Sequence, residues 1–508
     1  MTKEIRLETA GPTDGEGGRT PKGTRPARRG GAEGTGLKAA IGRRRALLLP
    51  GLSLVAAAAL PLLHPPAAHA QRGTAGPIYQ PNLDAAIGGA EEALARLEAA
   101  GWLLRGQFTG VVQGHPAFRS PYRGENSLSP KPSVENTQSL DLVLGRRLWP
   151  GAEVIAVPSV TRGFGLSNAR GVAAFPNGEA FRLGTEEPYA FVSRLFLRQT
   201  IALSDDTEGQ DPDPMRFAGP LPRERITVTL GKVSVWDFFD DNRYAHDART
   251  QFLNWAMVGA GAFDFAADAR GFTNGAVLEW EDGTWALRGG AFMVARQANG
   301  LTLETRIFKA WQALGEVDRF FSWNGRPGAV RLLAGLSRTR SARWEDLTRA
   351  VREGVEDVEP LRAYRTKPML ALNLEQEVTD SLGAFARLGW NSGRTQNWMF
   401  TEMDWSVSAG LSLNGGGWRR PGDTLGLAFN IGGLSAPHRR FLEAGGIGFI
   451  TGDGRLNYAP ETVLETYYDL RLAPGLNAAA NFQLVVNPAY NADRGPVPVL
   501  GLRLHAAF

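Results

Sequence analysis

The chain has 508 residues, with 56 Lys and Arg against 52 Asp and Glu, and no cysteine. Residues 1–70 hold 11 of those basic and 5 of those acidic residues, leaving 45 and 47, a formal charge of −2 that gives no reason to expect a nucleic-acid partner. The lack of cysteine excludes a disulfide framework, an iron–sulfur cluster and a thiol nucleophile.

Residues 1–42, rich in Gly, Arg, Pro and Glu, cannot bury a core and read as a disordered extension or a misassigned start. Arg43, Arg44 and Arg45 then precede an apolar run from Ala46 to Leu63, and Ala68, His69 and Ala70 form the small-x-small pattern of signal peptidase. Residues 43–70 therefore read as a signal peptide cleaved after Ala70. Pro50 and Pro61 interrupt the run and no stop-transfer charges follow, which disfavours an uncleaved membrane helix. In the next segment, residues 71–101, Leu83, Ile87, Leu94 and Leu97 recur at helical spacing between a cap at Asn82 and a stop at Gly101. A short periplasmic helix is expected there.

From residue 102 the period changes to two. Alternating segments of about 9 to 14 residues, the length of a tilted membrane strand, fall near 102–113, 137–148, 152–163, 190–203, 224–236, 272–280, 285–296, 311–322, 327–339, 367–378, 382–393, 400–413, 422–432, 461–472, 476–487 and 496–508. These make sixteen strands. A further candidate at 260–269 is demoted to loop, because an odd count would put the chain ends on opposite sides of the membrane. After the leader no apolar run is long enough for a membrane helix, so a membrane-spanning chain must close a barrel. The last segment, PVPVLGLRLHAAF, ends in Phe508, as outer-membrane barrels commonly do, and such a strand is what the barrel-assembly machinery reads.

Connections alternate in length. Leu148–Gly151, Glu281–Thr284, Trp323–Arg326, Thr379–Ser381 and Ala473–Gly475 are short, whereas residues 114–136, 164–189, 237–271, 340–366 and 433–460 are long. Short periplasmic turns and long outer loops are the asymmetry of these barrels. Ser204–Arg223 and Asn414–Arg420 are long for periplasmic turns. Within the outer loop 340–366, Trp344, Leu347, Val351, Val355 and Val358 predict a helix over Ala342–Val358. Alternation also assigns faces. Leu140, Leu142 and Leu144 face lipid while Thr137, Ser139 and Asp141 face inward; Leu372, Leu374 and Val378 oppose Asn373, Glu375 and Glu377; Trp405, Val407, Ala409 and Leu411 oppose Glu402, Asp404, Ser406 and Ser408. A soluble sandwich would turn its apolar face inward instead. The fold class is an all-β transmembrane antiparallel barrel over residues 102–508.

The chemistry concentrates in the third outer loop, Asp237–Gly271. Asp237, Asp240, Asp241, Asp247, Arg243, Arg249, Asn242, Gln251, Asn254, His246 and Trp255 mix carboxylates, guanidiniums, amides and rings. Sugars present paired hydroxyls and an apolar C–H face, which these groups suit. A loop of this composition folded into the lumen would narrow the pore and favour carbohydrate. Arg194, Arg198, Glu279, Arg288, Glu316, Asp318, Arg331 and Arg387 point inward by alternation, as opposed acidic and basic rows. Catalysis finds little support. Beyond the leader only His115, His246, His438 and His505 remain, and no GxSxG, HExxH or phosphate loop occurs. No cofactor or metal is expected.

Several long motifs carry a resemblance. GKVSVWDFFDDNRYAHDARTQFLNWA (Gly231–Ala256), AADARGFT (Ala266–Thr273), QFTGVVQ (Gln107–Gln113), PYRGENSL (Pro121–Leu128), LGRRLWPGAEV (Leu144–Val154), RGVAAFPNGEAFR (Arg170–Arg182), FLRQTIAL (Phe196–Leu203) and NPAYNADRGPV (Asn487–Val497) occur in order. Together they resemble the carbohydrate-selective porin family, OprB. The resemblance implies a sixteen-stranded outer-membrane barrel admitting glucose and other sugars by diffusion. By analogy it extends to a homo-oligomer embedded in outer-membrane lipid. The rival readings are a general or ion-preferring porin on the same barrel and, more remotely, a barrel enzyme.

Overall fold

A computed structural model describes residues 91–180, 184–209 and 213–507. The leader, the cleavage position Ala70, the Asn82 cap and the terminal Phe508 lie outside these residues.

Sixteen antiparallel strands close one barrel. In chain order the strands are β1 (Trp102–His115), β2 (Ser133–Trp149), β3 (Ala152–Gly163), β4 (Thr185–Ala202), β5 (Thr207–Glu208), β6 (Leu221–Pro222), β7 (Arg225–Val233), β8 (Thr273–Glu281) and β9 (Trp285–Phe292). They continue as β10 (Trp311–Trp323), β11 (Arg326–Ser341), β12 (Ala363–Glu377), β13 (Leu382–Asn391), β14 (Trp405–Gly415), β15 (Arg420–Gly433), β16 (Glu461–Ala473), β17 (Leu476–Val486) and β18 (Val497–Ala507). The two-residue strands β5 and β6 pair with each other as a ribbon, so β4 neighbours β7. β1 closes on β18 in the register Gln107↔Ala507 to Gly114↔Leu500. Closure leaves no unpaired edge, which a bilayer requires.

The two faces follow the alternation. On β2, Thr137, Ser139 and Asp141 are buried while Leu142 and Leu144 are exposed to the lipid side. Aromatic residues border the outer apolar belt. Trp102, Trp149 and Trp323 are more than half exposed near the short turns, and Trp311, Trp390 and Trp405 stand near the long loops. Such girdles mark the two membrane interfaces. The lumen is less uniformly polar than the pattern predicts, because Leu103, Val143, Ile155 and Phe196 form an apolar patch on the inner wall.

Where strand ends depart from expectation, loop contacts explain it. The expected strand 400–413 starts at Trp405, because the backbone before it turns inward to give the N–H groups of Trp398, Met399 and Phe400 to Asp264 at 2.7, 3.0 and 2.9 Å. The expected strand 285–296 ends at Phe292, after which the chain bends and bridges Ala295 to Leu303. The helix expected over Ala342–Val358 is shorter, α2 (Trp344–Glu353). Gly354 stops it in the left-handed region at φ 69°, leaving Val355 and Val358 beyond it. Two helices carry no clear signal in the sequence. The four-residue α1 (Trp255–Val258) lies in the third loop, and α3 (Ala436–Glu443) packs on α2 through Trp344 and Phe441, whose rings lie 4.9 Å apart.

At the other end residues 91–99 are helical. The long connection after β4 folds back on the barrel mouth, which accounts for its length: Arg198 donates to the Met215 carbonyl at 3.1 Å, Arg105 to that of Asp213 at 2.6 Å, and Arg147 lies over Phe217. Glu98, at the end of the helical segment, accepts the Ala218 N–H and pairs with Arg105.

The long loops, including α2, share one end of the barrel. Because the chain has no cysteine, Arg352→Cys creates a single labelling site on the exposed face of α2. A membrane-impermeant maleimide is expected to label it in intact cells. Labelling only after permeabilisation would reverse this orientation.

Candidate functional site

The third loop leaves β7 through a turn in which Asp237 accepts the Ser234 N–H at 3.1 Å, and it crosses the lumen. β16 stands opposite β7 and β8 in the strand order. Its Glu465 carboxylate accepts the N–H groups of Leu253 and Asn254 at 2.6 and 3.0 Å. Between these supports the loop is tied at almost every polar side chain. Asp240, at φ 59°, accepts from Ala260 N–H at 2.7 Å, from Asn373 Nδ2 at 2.7 Å and from Arg387 Nε at 3.1 Å, while its own N–H donates to Glu316. Asn242 donates to Asn373 at 2.7 Å. Gln251 accepts the N–H groups of His246 and Asp247 and donates to the Arg243 carbonyl at 2.8 Å. Asn254 caps α1 and also donates to the Ala174 carbonyl and to Gln483.

Trp255 is not an open platform. The residue is 6 % exposed, its ring stacked between Trp236 at 4.4 Å and Phe175 at 4.9 Å, with Phe400 at 5.3 Å. The loop instead presents Asp241 and Arg243 to open space, with side chains 61 % and 53 % exposed. Asp241 lies 3.9 Å from Arg331, and Arg243 lies 3.9 Å from Glu377. Crowding in the lumen would raise the Asp241 carboxyl, but His246, Arg331, Arg288 and Arg387 together hold it below the ordinary carboxylate value. Burial likewise opposes the Asp247 charge, and Arg249, with the bond from its N–H, overcomes it.

The wall charges are interleaved rather than set in opposed rows, and the strand register is the cause. One rung reads Glu279, Arg288, Glu316 across β8, β9 and β10; the next reads Asp318, Arg331, Asn373, Arg387 across β10 to β13. Residues facing each other across neighbouring strands touch. Arg288 therefore meets Glu279 at 3.2 Å, Glu316 and Glu281 at 3.4 Å, and Asp318, and Arg331 meets Glu375 at 3.1 Å. Arg194 is bidentate to Asp237 at 2.6 and 2.7 Å, Arg198 bonds Glu153 at 2.7 Å, and Arg249 joins Glu179 and Asp141. A second feature escaped the sequence reading. On the inner side of β4 Tyr189 and Phe191 lie 5.7 Å apart, Phe272 is 5.8 Å from Phe191, and Arg270 and Arg194 sit over these rings. Extending the period-two reading to residues before 190 would have found Tyr189, but the bulge opposite Val157 and Pro158 hides the parity.

The model of the carbohydrate-selective porin family, OprB, matches residues 125–508. The chain belongs to this family. Among solved structures, the high-pH structure of Pseudomonas putida OprB matches with a TM-score of 0.64 at 17 % identity, covering 83 % of this chain and 97 % of that one. The low-pH structure of the same porin gives 0.47 at 13 % identity over the same shares, and the outer-membrane channel DcaP of Acinetobacter baumannii 0.43 at 10 % identity over 80 % and 98 %. No curated protein matches the sequence. This OprB-family chain is thus an outer-membrane porin of Gram-negative type, and family and fold mark it as a channel for carbohydrates.

Two outcomes test how the porin holds its loops. Glu465→Gln removes the charge from the bonds that fasten the loop to the far wall, a loss of about 1 to 3 kcal/mol. Higher and noisier single-channel conductance is expected, with faster proteolysis of the third loop; parental conductance and protection would refute the anchor. The second concerns pH. Asp404 is buried and accepts from His438 Nδ1 at 3.1 Å and Ser435 N–H at 2.9 Å. Burial opposes its charge, yet His438 brings it from 3.8 down to about 2. A carboxyl lowered on folding stabilises the fold above its unfolded value and loses that contribution as pH falls through its folded value. About 2 kcal/mol should therefore disappear between roughly pH 4 and pH 2, and Asp404→Asn should flatten that part of the acid-unfolding curve. Identical acid curves for both proteins would remove Asp404 from the account.

Proposed function

We propose that sugars are selected in the gap between the third loop and the wall of β8 to β12, after entering along the Tyr189–Phe191–Phe272 strip. The observation that carries this reading is the exposure of Asp241 and Arg243 beside a wall whose charges are already paired. A neutral polyol crossing the gap can exchange water for bonds to a carboxylate, a guanidinium and the outer oxygens of Glu375 and Glu377. It meets donors and acceptors in alternation, and the rings of the strip offer an apolar surface to its C–H faces. Passage is diffusive and needs no cofactor. The third loop supplies the narrowing, while Arg194, Arg198, Asp237, Arg249, Glu279, Arg288, Glu316, Asp318 and Arg331 set the field around it. Asp240, Asn242, Asn254, Gln251 and Trp255 hold the loop rather than meet the solute.

The remaining readings accompany this one. Residues 43–70 direct export through the general secretory route with cleavage after Ala70, residues 71–101 stay in the periplasm, and the last strand through Phe508 is the signal for barrel assembly. An ion-preferring porin would share the barrel but show no block of ion current by sugar.

Planar-bilayer recording with a glucose titration distinguishes them. Asp241→Asn and Arg243→Gln are each expected to weaken sugar block about tenfold, the loss of one charge-assisted bond, with little change in folding because both side chains are exposed. Arg288→Gln should move ion preference toward cations, since it removes the cation that contacts Glu279, Glu281, Glu316 and Asp318 together. Parental sugar block in both loop variants would place selection elsewhere. No block in the parent itself would favour the ion channel.

A further inference from the structure

The lipid-facing side of β10 to β12 is apolar in its middle, where Val317, Leu332, Leu336 and Leu370 are exposed. Near the long-loop end it changes character. Trp311 stands there, and beside it four cations come together from two segments, Arg306 and Lys309 from the connection before β10 and Arg338 and Arg340 from β11. Arg338 stands across from Trp311 on one side and Thr366 on the other. Its guanidinium donates to the Lys309 carbonyl at 3.1 Å and to Thr366 Oγ1 at 3.4 Å. Arg340 is the cross-strand partner of Tyr364, and the Arg306 guanidinium lies 5.7 Å from the ring of that tyrosine.

These cations are incompletely balanced. Arg306 has Glu304 at 2.6 Å, and Arg340 has Glu359, a carboxylate shared with Arg362. Among the described residues neither Lys309 nor Arg338 has a carboxylate partner. Between Arg306 and Lys309 the chain holds Phe308 outward, 92 % exposed, next to Ile307 at 48 %. A bare phenyl ring in water is unfavourable by its whole apolar area, whereas at a membrane interface the same ring meets acyl chains. The periplasmic end of the same strands lacks this arrangement. There Arg319 lies over Trp285, and Arg326 bonds Glu377 and Asp380.

We propose that this patch is a docking site for a phosphorylated anionic glycolipid of the outer leaflet. A phosphate at the headgroup level accepts from Arg338 and Lys309, with Arg306 and Arg340 flanking it, while Phe308 and Ile307 pack against the acyl chains below. Guanidinium and ammonium groups on flexible stems at the edge of the apolar belt reach phosphates in this way. The charge excess selects an anionic lipid over a zwitterionic one, and the adjoining apolar ring selects a lipid over free phosphate.

The test uses the full, folded barrel in neutral detergent, titrated with bisphosphorylated lipid A, with its dephosphorylated form and with inorganic phosphate, and read by native mass spectrometry. Lipid A is expected to stay bound to the parent. Lys309→Gln combined with Arg338→Gln should lower its apparent affinity about tenfold or more, and dephosphorylated lipid should bind the parent as weakly as lipid A binds that variant. Phe308→Ser should weaken lipid A binding on its own, and millimolar inorganic phosphate should not compete. Arg338 shares the outward parity of Leu332 and Leu336, and Lys309 is exposed in the connection before β10, so unchanged ion conductance reports an intact barrel. Equal lipid A retention by parent and double variant in such barrels would overturn the proposal. So would a change of oligomeric state with retention unaltered, which would make the patch a contact between copies. Full competition by inorganic phosphate would overturn the lipid assignment.

Discussion

The interior of this barrel depends on one repeated interaction, a buried carboxylate that collects backbone N–H groups from a loop folded into the lumen. Glu402 takes those of Phe449, Ile450 and Thr451 at 3.0, 2.9 and 2.6 Å. Glu461 takes those of Ala173, Ala174 and Ala489 at 3.0, 2.7 and 2.7 Å, while Glu465 and Asp264 serve the third loop and the segment before β14 in the same way. A loop drawn into a barrel loses water around its main chain, and every N–H left without an acceptor costs about as much as a lost hydrogen bond. A carboxylate supplies two oxygens and several lone pairs at one point, so a single inward Glu satisfies two or three consecutive amides. The pore is therefore narrowed by main chain held on the wall, and the loops interlock through shared anchors.

That construction explains what the sequence made legible. Strand positions and faces followed from period two and from parity, because lipid on one side and loops or water on the other impose opposite demands on alternate residues. Inward charges such as Arg288, Glu316 and Arg331 were readable for the same reason. Their partners were not. Whether Arg288 meets Glu279 or an acid across the lumen depends on register, which alternation leaves undetermined by even shifts. Trp255 illustrates the other gap. Its position in a polar loop suggested an open ring, whereas the aromatic stack that covers it combines residues 175, 236, 265 and 400, which no local pattern connects. The start of β14 and the helix α3 were missed because tertiary anchors, Asp264 and the Trp344 ring stacked 4.0 Å from His438, decide them.

The same register gives the lumen its electrical character. Rungs of acid, base and acid place opposite charges within bonding distance, so much of each field is cancelled by its neighbour instead of extending across the pore. An ion gains little from such a surface beyond local hydration, and the carboxylate excess around Arg288 is confined to one sector. A hydroxyl-rich neutral solute depends less on net field than on a dense alternation of donors and acceptors, which paired charges still provide through their outer lone pairs and N–H groups. The interleaved wall is thus compatible with the carbohydrate channel that family membership marks.

Selectivity and stability in this porin are coupled through those anchors. In the proposed site Asp241 and Arg243 stay exposed because Asp240, between the turn and the wall, is held by Arg387, Asn373 and Ala260, and because Glu465 secures the loop on the opposite side. On that proposal the exposed pair contributes little to folding, and the buried anchors act on binding only through the loop they hold. A substitution that loosens an anchor should therefore alter the pore as a whole, through width and noise together, whereas one at the exposed pair should alter the solute's affinity alone.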